Sequence, residues 1–424
     1  MSHNRNPEGR NQFPPVPKAS DKWFADILRA YHMAGISSNK HIQRRLSVEH
    51  GINMHINTVK KRRNELKLYG SRSKQVTWTF EEVQHLVLQI LETDPTKSHG
   101  KSTVQDLIAF RFQKHIPRHL ITDVMHIHDP EGFVYRSPNS KRIYRFKKVP
   151  VGIHERWAAD GHDKLSRIGF PVYAFVDDAT GRWLAAWVVP NNRLNNVIGY
   201  LFLLLVEKYK GLPLQLSMDC GSETTQTFGL ANALREIFVP EIPVDELPAV
   251  RYMRSVHNIS IERAWLRLRL DWGNNAHSVY TKGLEENVFN TTDAFQVALV
   301  RWLWSRMLQR TLDEFCTFRN GAKMRKDKDK AGPSGCSRDE AFIFYEEWGG
   351  QNLLQPLEDD QLEVVRDLQR AMGGEDLLKF VEDELAAQFE DALANQLGLT
   401  IADVSTANVW DVFRALRVAL TPLD

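Results

Sequence analysis

The 424-residue sequence predicts an α/β core, a mixed five-stranded sheet flanked by helices, preceded by an all-helical basic region and followed by an acidic helical tail. Three observations carry that expectation. The hydrophobic period changes from helical spacing to β-rich runs in the middle of the chain. Charge is segregated: residues 1–150 hold 26 Lys and Arg against 13 Asp and Glu, and residues 351–424 hold 5 against 15, so a net charge of +2 conceals ends of +13 and −10. Composition is that of a folded protein, 42% hydrophobic and 25% charged, which argues against a disordered chain and allows at least one sizeable core.

Other classes are disfavoured. The longest apolar run, Val197–Val206, is about half a membrane span. The Pro-, Asn- and Arg-rich stretch Met1–Lys18 lacks the apolar region of a secretory signal. Cys220, Cys316 and Cys336 form neither a CxxC pair nor a zinc spacing, which suits a reducing compartment. A nuclear or cytoplasmic protein is expected, without a membrane partner.

Residues 1–19 read as a disordered arm. Ser20 and Asp21 offer capping chemistry for a helix over Lys22–Met33, with Trp23, Ile27, Leu28 and Tyr31 at helical spacing, and Gly35 stops it. Ser37 or Ser38 caps a second helix, Asn39–His50, stopped by Gly51. A third, Asn57–Leu68, turns Val59 and Leu66 inward and Lys60, Lys61, Arg62, Arg63 and Lys67 outward. Three short helices ending on a basic one predict a helix-turn-helix-like DNA-binding region over 20–70; the solvated face of a small bundle is the competing reading.

A second small helical DNA-binding unit is expected over 76–135. Its helices run over Phe80–Leu91, from Ser102 or Thr103 to His115, and from Pro117 to a stop before His128, with a turn at Asp129-Pro130-Glu131-Gly132. Residues 136–150 form a basic linker, where Arg142, Lys147 and Lys148 can follow a phosphate backbone.

The core is expected over 151–350. Phe170–Val176 and Trp183–Val189 read as strands joined through Asp177-Asp178-Ala179-Thr180-Gly181-Arg182, a hairpin turn, so the Asp177–Asp178 pair belongs to the turn. Helix Asn195–Tyr209, strand Leu214–Met218, helix Gln226–Phe238, strand Val250–Met253, helix Ile259–Leu270 and a long helix Thr291–Phe315 follow. With a first strand around Trp157–Asp160, the order is three antiparallel strands and then parallel additions, the order of an RNase H-like fold. The basic stretch Arg319–Lys330 reads as a loop, and residues 351–424 as acidic amphipathic helices that pack on the core or meet a partner.

Each of three segments offers a carboxylate at the edge of an apolar element: Asp160, Asp219 and Glu262. Phosphodiester transfer needs a deprotonated attacking oxygen and a stabilised leaving oxygen, and divalent cations held by carboxylates supply both. Asp219 follows an apolar strand and precedes Gly221, at the strand end where ligands gather in open α/β sheets.

The segments Trp157-Ala158-Ala159-Asp160-Gly161-His162-Asp163-Lys164-Leu165, Asp219-Cys220-Gly221-Ser222-Glu223 and Ser255-x-His257-Asn258-x-x-Ile261-Glu262-Arg263-x-Trp265 resemble the three acidic segments of integrase core domains in transposon-derived eukaryotic proteins, within the DDE transposase and retroviral integrase superfamily. The resemblance covers roughly Ser20–Leu357. It implies an RNase H-like catalytic core that cleaves and joins DNA strands with Mg2+ or Mn2+. Asp160, Asp219 and Glu262 match the metal-binding, catalytic carboxylates. Cys220 stands where many relatives carry His, and Thr224 where Asn often follows the Glu. His257 and Asn258 are accessory candidates for orienting phosphate or water, with helix capping as the plain alternative for Asn258. Arg263 and Arg267, one turn apart beside Glu262, are candidates for DNA contact, while Trp265, Leu266 and Leu270 read as core. The implied partners are DNA, both transposon ends and target, and further copies of the chain. The alternative reading is a domesticated DNA-binding protein that keeps the fold and is catalytically silent.

Overall fold

A computed structural model describes residues 16–71, 73, 75–129, 149–219, 221–253, 258–328 and 330–421. Arg142, Lys147, Lys148 and His257, together with most of the N-terminal arm and the basic linker, lie outside the described residues. The chain divides into two compact units, one of residues 1–87 and 101–124, the other of 88–100 and 125–424.

In the first unit, helices α1 (Lys22–Met33), α2 (Asn39–His50) and α3 (Ile56–Glu65) close over Phe24, Leu28, Ile42, Leu46 and Val59. Gly51 ends α2 in the left-handed conformation at φ +65°, where a side chain is disfavoured. His55 opens α3, its Nδ1 accepting from the Asn57 amide at 3.2 Å. One expectation fails here. Arg63 does not point outward: it is 7% exposed, and its guanidinium donates to the carbonyls of Ser37 (2.8 Å) and Leu68 (3.2 Å) and to Asn39 Oδ1. A buried cation needs such partners, so Arg63 ties α3 to the start of α2 and is a structural residue. Arg62 is half-buried, bonded to the Pro17 carbonyl and Glu65, whereas Lys60, Lys61 and Lys67 are exposed. Helices α4 (Phe80–Glu92), α5 (Lys101–Phe112) and α6 (Arg118–His128) follow.

The second unit is built on a five-stranded sheet: β1 (Arg156–His162), β2 (Val172–Asp177), β3 (Trp183–Val188), β4 (Gln215–Met218) and β5 (Val250–Tyr252). Their spatial order is β3-β2-β1-β4-β5, with β1/β2 and β2/β3 antiparallel and β1/β4 and β4/β5 parallel. That is the order of an RNase H-like core. The hairpin reading of Asp177 holds: it is fully buried and accepts from Thr180 N (2.9 Å), Thr180 Oγ1 (2.7 Å) and the His154 amide (2.9 Å).

Alternation along the strands divides the sheet between two cores. Ala158, Val172, Ala174 and Val176 face the long helix α11 (Ala294–Gly321) and Trp265 and Leu268 of α9 (Ile259–Leu268). Trp157, Ala159, Tyr173 and Phe175 face α7 (Asn195–Tyr209), and α8 (Thr225–Phe238) packs on α7. A π-turn over Arg269–Gly273 joins α9 to α10 (Asn274–Glu285). Asp293 caps α11 by accepting from Phe295 N and Gln296 N, so the helix starts later than expected and runs on to Gly321. The first residues of the expected basic loop are therefore helical. Asn320 is buried, exchanging two 2.9 Å hydrogen bonds with the backbone of Trp183 at the start of β3.

After α12 (Arg338–Ile343), the acidic segment completes both cores. Leu362 and Val365 of α13 (Asp359–Met372) join the α7 side, where Arg366 and Gln369 grip Glu207 at 2.7 and 3.0 Å. Phe389 of α14 (Asp383–Asp391) and Phe413 and Leu416 of α15 (Val409–Leu420) join the α11 side. Among the described residues no helix is long and apolar enough to cross a membrane.

Candidate active site

Asp160 sits on the central strand β1, opposite Ala174 of β2. It shares strand parity with Ala158, which turns it toward α9, and there its Oδ2 accepts from Trp265 Nε1 at 2.8 Å. Asp160 Oδ1 accepts from the Gly161 amide at 2.8 Å. Asp219 leaves the end of the neighbouring parallel strand β4, and Glu262 lies in the first turn of α9. Three elements thus carry the three carboxylates, of which Asp160 interacts electrostatically with Asp219 and Glu262, and Glu262 with Asp219.

Their electrostatics are coupled. Burial pushes the Asp160 carboxyl up to about 7, with Asp219 and Glu262 adding to the rise and the Trp265 and Gly161 hydrogen bonds opposing it. Burial and Glu223 raise Asp219; burial and Asp219 raise Glu262. Asp219 Oδ1 is buried with no hydrogen-bond partner among the described residues. Ionised carboxylates crowded this way repel one another, and one of them keeps an unsatisfied oxygen. Among the described residues, no group of three His, Cys, Asp or Glu stands close enough to hold a metal ion as a ready-made cage.

Asp160 and Asp219 line a cleft of about 400 Å³ with Tyr173, Asn192, Arg193 and Glu223. Gly161 gives it depth: a Cβ there would stand 2.9 Å from Asn192 Nδ2. The Tyr173 hydroxyl is buried with no partner among the described residues, its ionisation suppressed by burial and then by Asp160, Glu223 and Asp219.

Residues 148–335 match the family model for the integrase core domain. The chain carries an integrase core domain. No curated protein matches it. Within the integrase core domain, the matched segment contains all three carboxylates.

The remaining site expectations fall unevenly. Arg263 and Arg267 are exposed on α9. Asn258 stands at the N-cap position of α9 but makes no side-chain cap bond; it is buried and its Nδ2 is without a partner among the described residues. Leu266, expected in the core, is 45% exposed. Trp265 is core as expected, stacked on His162 and edge-on to Trp183, and is also the donor to Asp160. Sequence reasoning missed that second role, along with Tyr173 and Asn192. Glu223 carried a signal, as the last residue of the Asp219-x-Gly221-x-Glu223 segment.

The segment 94–99 braces the π-turn that follows the helix bearing Glu262, and the start of α10. His99 Nε2 meets the Asp271 carbonyl at 3.0 Å, Ser98 Oγ donates to the Leu270 carbonyl, and Thr96 donates to Asn275 Oδ1. Asp94 organises this segment by accepting from Ser98 N, Ser98 Oγ and the His99 amide.

Proposed function

We propose that this integrase core is a metal-dependent polynucleotidyl transferase that cleaves and joins DNA strands, with Asp160, Asp219 and Glu262 as its catalytic carboxylates. The observation that carries the reading is that the integrase core domain match spans all three acids, and their carboxyls are raised by burial and by neighbouring acids. The partnerless Asp219 Oδ1 fits a cation site, because an oxygen buried without a donor is stabilised by a positive charge. Mg2+ or Mn2+ held there would supply the Lewis-acid charge that activates the attacking oxygen and steadies the leaving one.

This chain's residues do the rest. Asp160, whose carboxyl burial raises to about 7, would hold the cation only in its ionised form, so its hold on a cation would strengthen with pH. Trp265 holds one Asp160 oxygen and leaves the carboxylate a fixed orientation. Lys60, Lys61 and Lys67 on the exposed side of the first unit bring DNA as a helix-turn-helix would, and Arg263 and Arg267 contact the strand near Glu262. Synapsis of two DNA ends calls for more than one copy of the chain.

The test is nicking and strand transfer on duplex DNA with Mn2+. Activity that disappears in Asp160→Asn and Asp219→Asn supports the reading. Specific DNA binding with no cleavage product, insensitive to metal and to Glu262→Gln, supports the catalytically silent DNA-binding protein instead.

A further inference from the structure

The acid cleft has a basic neighbour. Asp163 and Arg193 line it and also a second cleft of about 680 Å³, whose other walls include His162, Lys164, Arg167 and Arg269. Lys164 and Arg167 rise from the 3-10 turn that leaves β1, and Arg269 opens the π-turn after α9. Lys164 and Arg167 are exposed and Arg269 is half-buried. Arg193 pairs with Asp163 at 3.1 Å. Among the described residues no carboxylate pairs with Lys164, Arg167 or Arg269.

His162 is the buried group in this wall. It is 7% exposed, its ring stacks on Trp265 at 5.0 Å, and its Nε2 has no hydrogen-bond partner among the described residues. Three uncompensated cations in one cleft with an unsatisfied polar atom suit an extended polyanion, and the shared Asp163–Arg193 wall sets the basic cleft beside the acidic one.

We propose that this cleft holds the phosphodiester backbone of a DNA strand, with Lys164, Arg167 and Arg269 neutralising phosphates, His162 hydrogen-bonding to one, and the strand passing Asp163 to reach Asp160. The proposal rests on the strand-transfer reading for its choice of polyanion.

The experiment uses the full chain and a short labelled duplex DNA. Affinity is measured across a salt series for wild type, Lys164→Ala/Arg269→Ala and the charge-keeping Lys164→Arg/Arg269→Lys. An amine-acylating reagent, read by mass spectrometry, reports locally on Lys164. DNA is expected to shield Lys164, and the double alanine variant to bind at least about tenfold more weakly with a salt slope shallower by about two. The charge-keeping variant is expected to restore the wild-type slope, which separates lost charge from lost folding. An unchanged slope with Lys164 unshielded overturns the proposal, as does equal shielding by inorganic phosphate alone, which marks a small-anion site. Mn2+-dependent nicking alongside an unchanged slope overturns the cleft but not the strand-transfer reading. A shallower slope in a chain that never nicks DNA does the reverse.

Discussion

The indole Nε1 of Trp265 donates to Asp160 Oδ2 at 2.8 Å, joining residues 105 positions apart. Trp265 lies one helical turn beyond Glu262, so a single hydrogen bond ties the helix carrying the third carboxylate to the strand carrying the first. It also favours the ionised form of Asp160 against the burial that disfavours it.

Trp265→Phe keeps the apolar ring and removes the donor. Hydrogen bonds to charged groups contribute about 1.5–3 kcal/mol, so the acid limb of any Mn2+-dependent activity should move up by about one pH unit or more. A pH–rate profile checks this. An unmoved limb would show that the indole is packing only.

Stability should depend on pH in the sense set by raised carboxyls. Asp160 and Asp177 sit at about 7 and about 6, above the ordinary 3.8, chiefly through burial. The folded state therefore binds more protons than the unfolded one between about pH 4 and 7. Their contribution is complete below pH 4 and is lost as pH rises through 7. Asp160→Asn should consequently raise Tm at pH 8 by about 2–4 °C per kcal/mol of repulsion removed, with the gain vanishing at pH 4. Thermal melts of the metal-free chain at the two values decide it.

Added Mn2+ should reverse that order. Wild type should gain Tm with cation concentration as a ligand bound only by the folded state requires, and Asp160→Asn and Asp219→Asn should gain little. Equal gains in all three, measured by differential scanning fluorimetry, would place the cation elsewhere.

Two basic residues close together in α3 should behave oppositely. Arg63→Ala strands three acceptors, the Leu68 carbonyl buried and the other two part-buried, and should destabilise the first unit by about 3 kcal/mol in urea melts. Lys60→Ala should leave stability within about 0.5 kcal/mol and flatten the salt dependence of DNA binding by about one.

These pairs also show what was legible in the sequence. Strand alternation, the Asp177 turn and the helix breaks at Gly35 and Gly51 are local signals, and the sheet order followed from the succession of strands and helices in the core. Asp160, Asp219 and Glu262 stood out because each ends or flanks an apolar run. Arg63 and Lys60 look alike in sequence, and only the packing of α3 on residues 37–39 separates them. The Trp265–Asp160 bond, the Asn320–Trp183 pair and the closure of both cores by the acidic segment join distant positions, where periodicity carries no information. Leu266 reads as apolar and lies exposed because helix α9 turns Trp265 and Leu268 inward instead.

Cleavage and joining of duplex DNA by the purified chain in Mn2+, compared with Asp160→Asn, Asp219→Asn and Glu262→Gln at matched folding, tests the central claim most directly. Nicked and joined products from wild type, falling by at least about a hundredfold in each variant, are the expected result. Products at undiminished rates in all three variants, or a wild type that binds DNA and never cuts it, would contradict it.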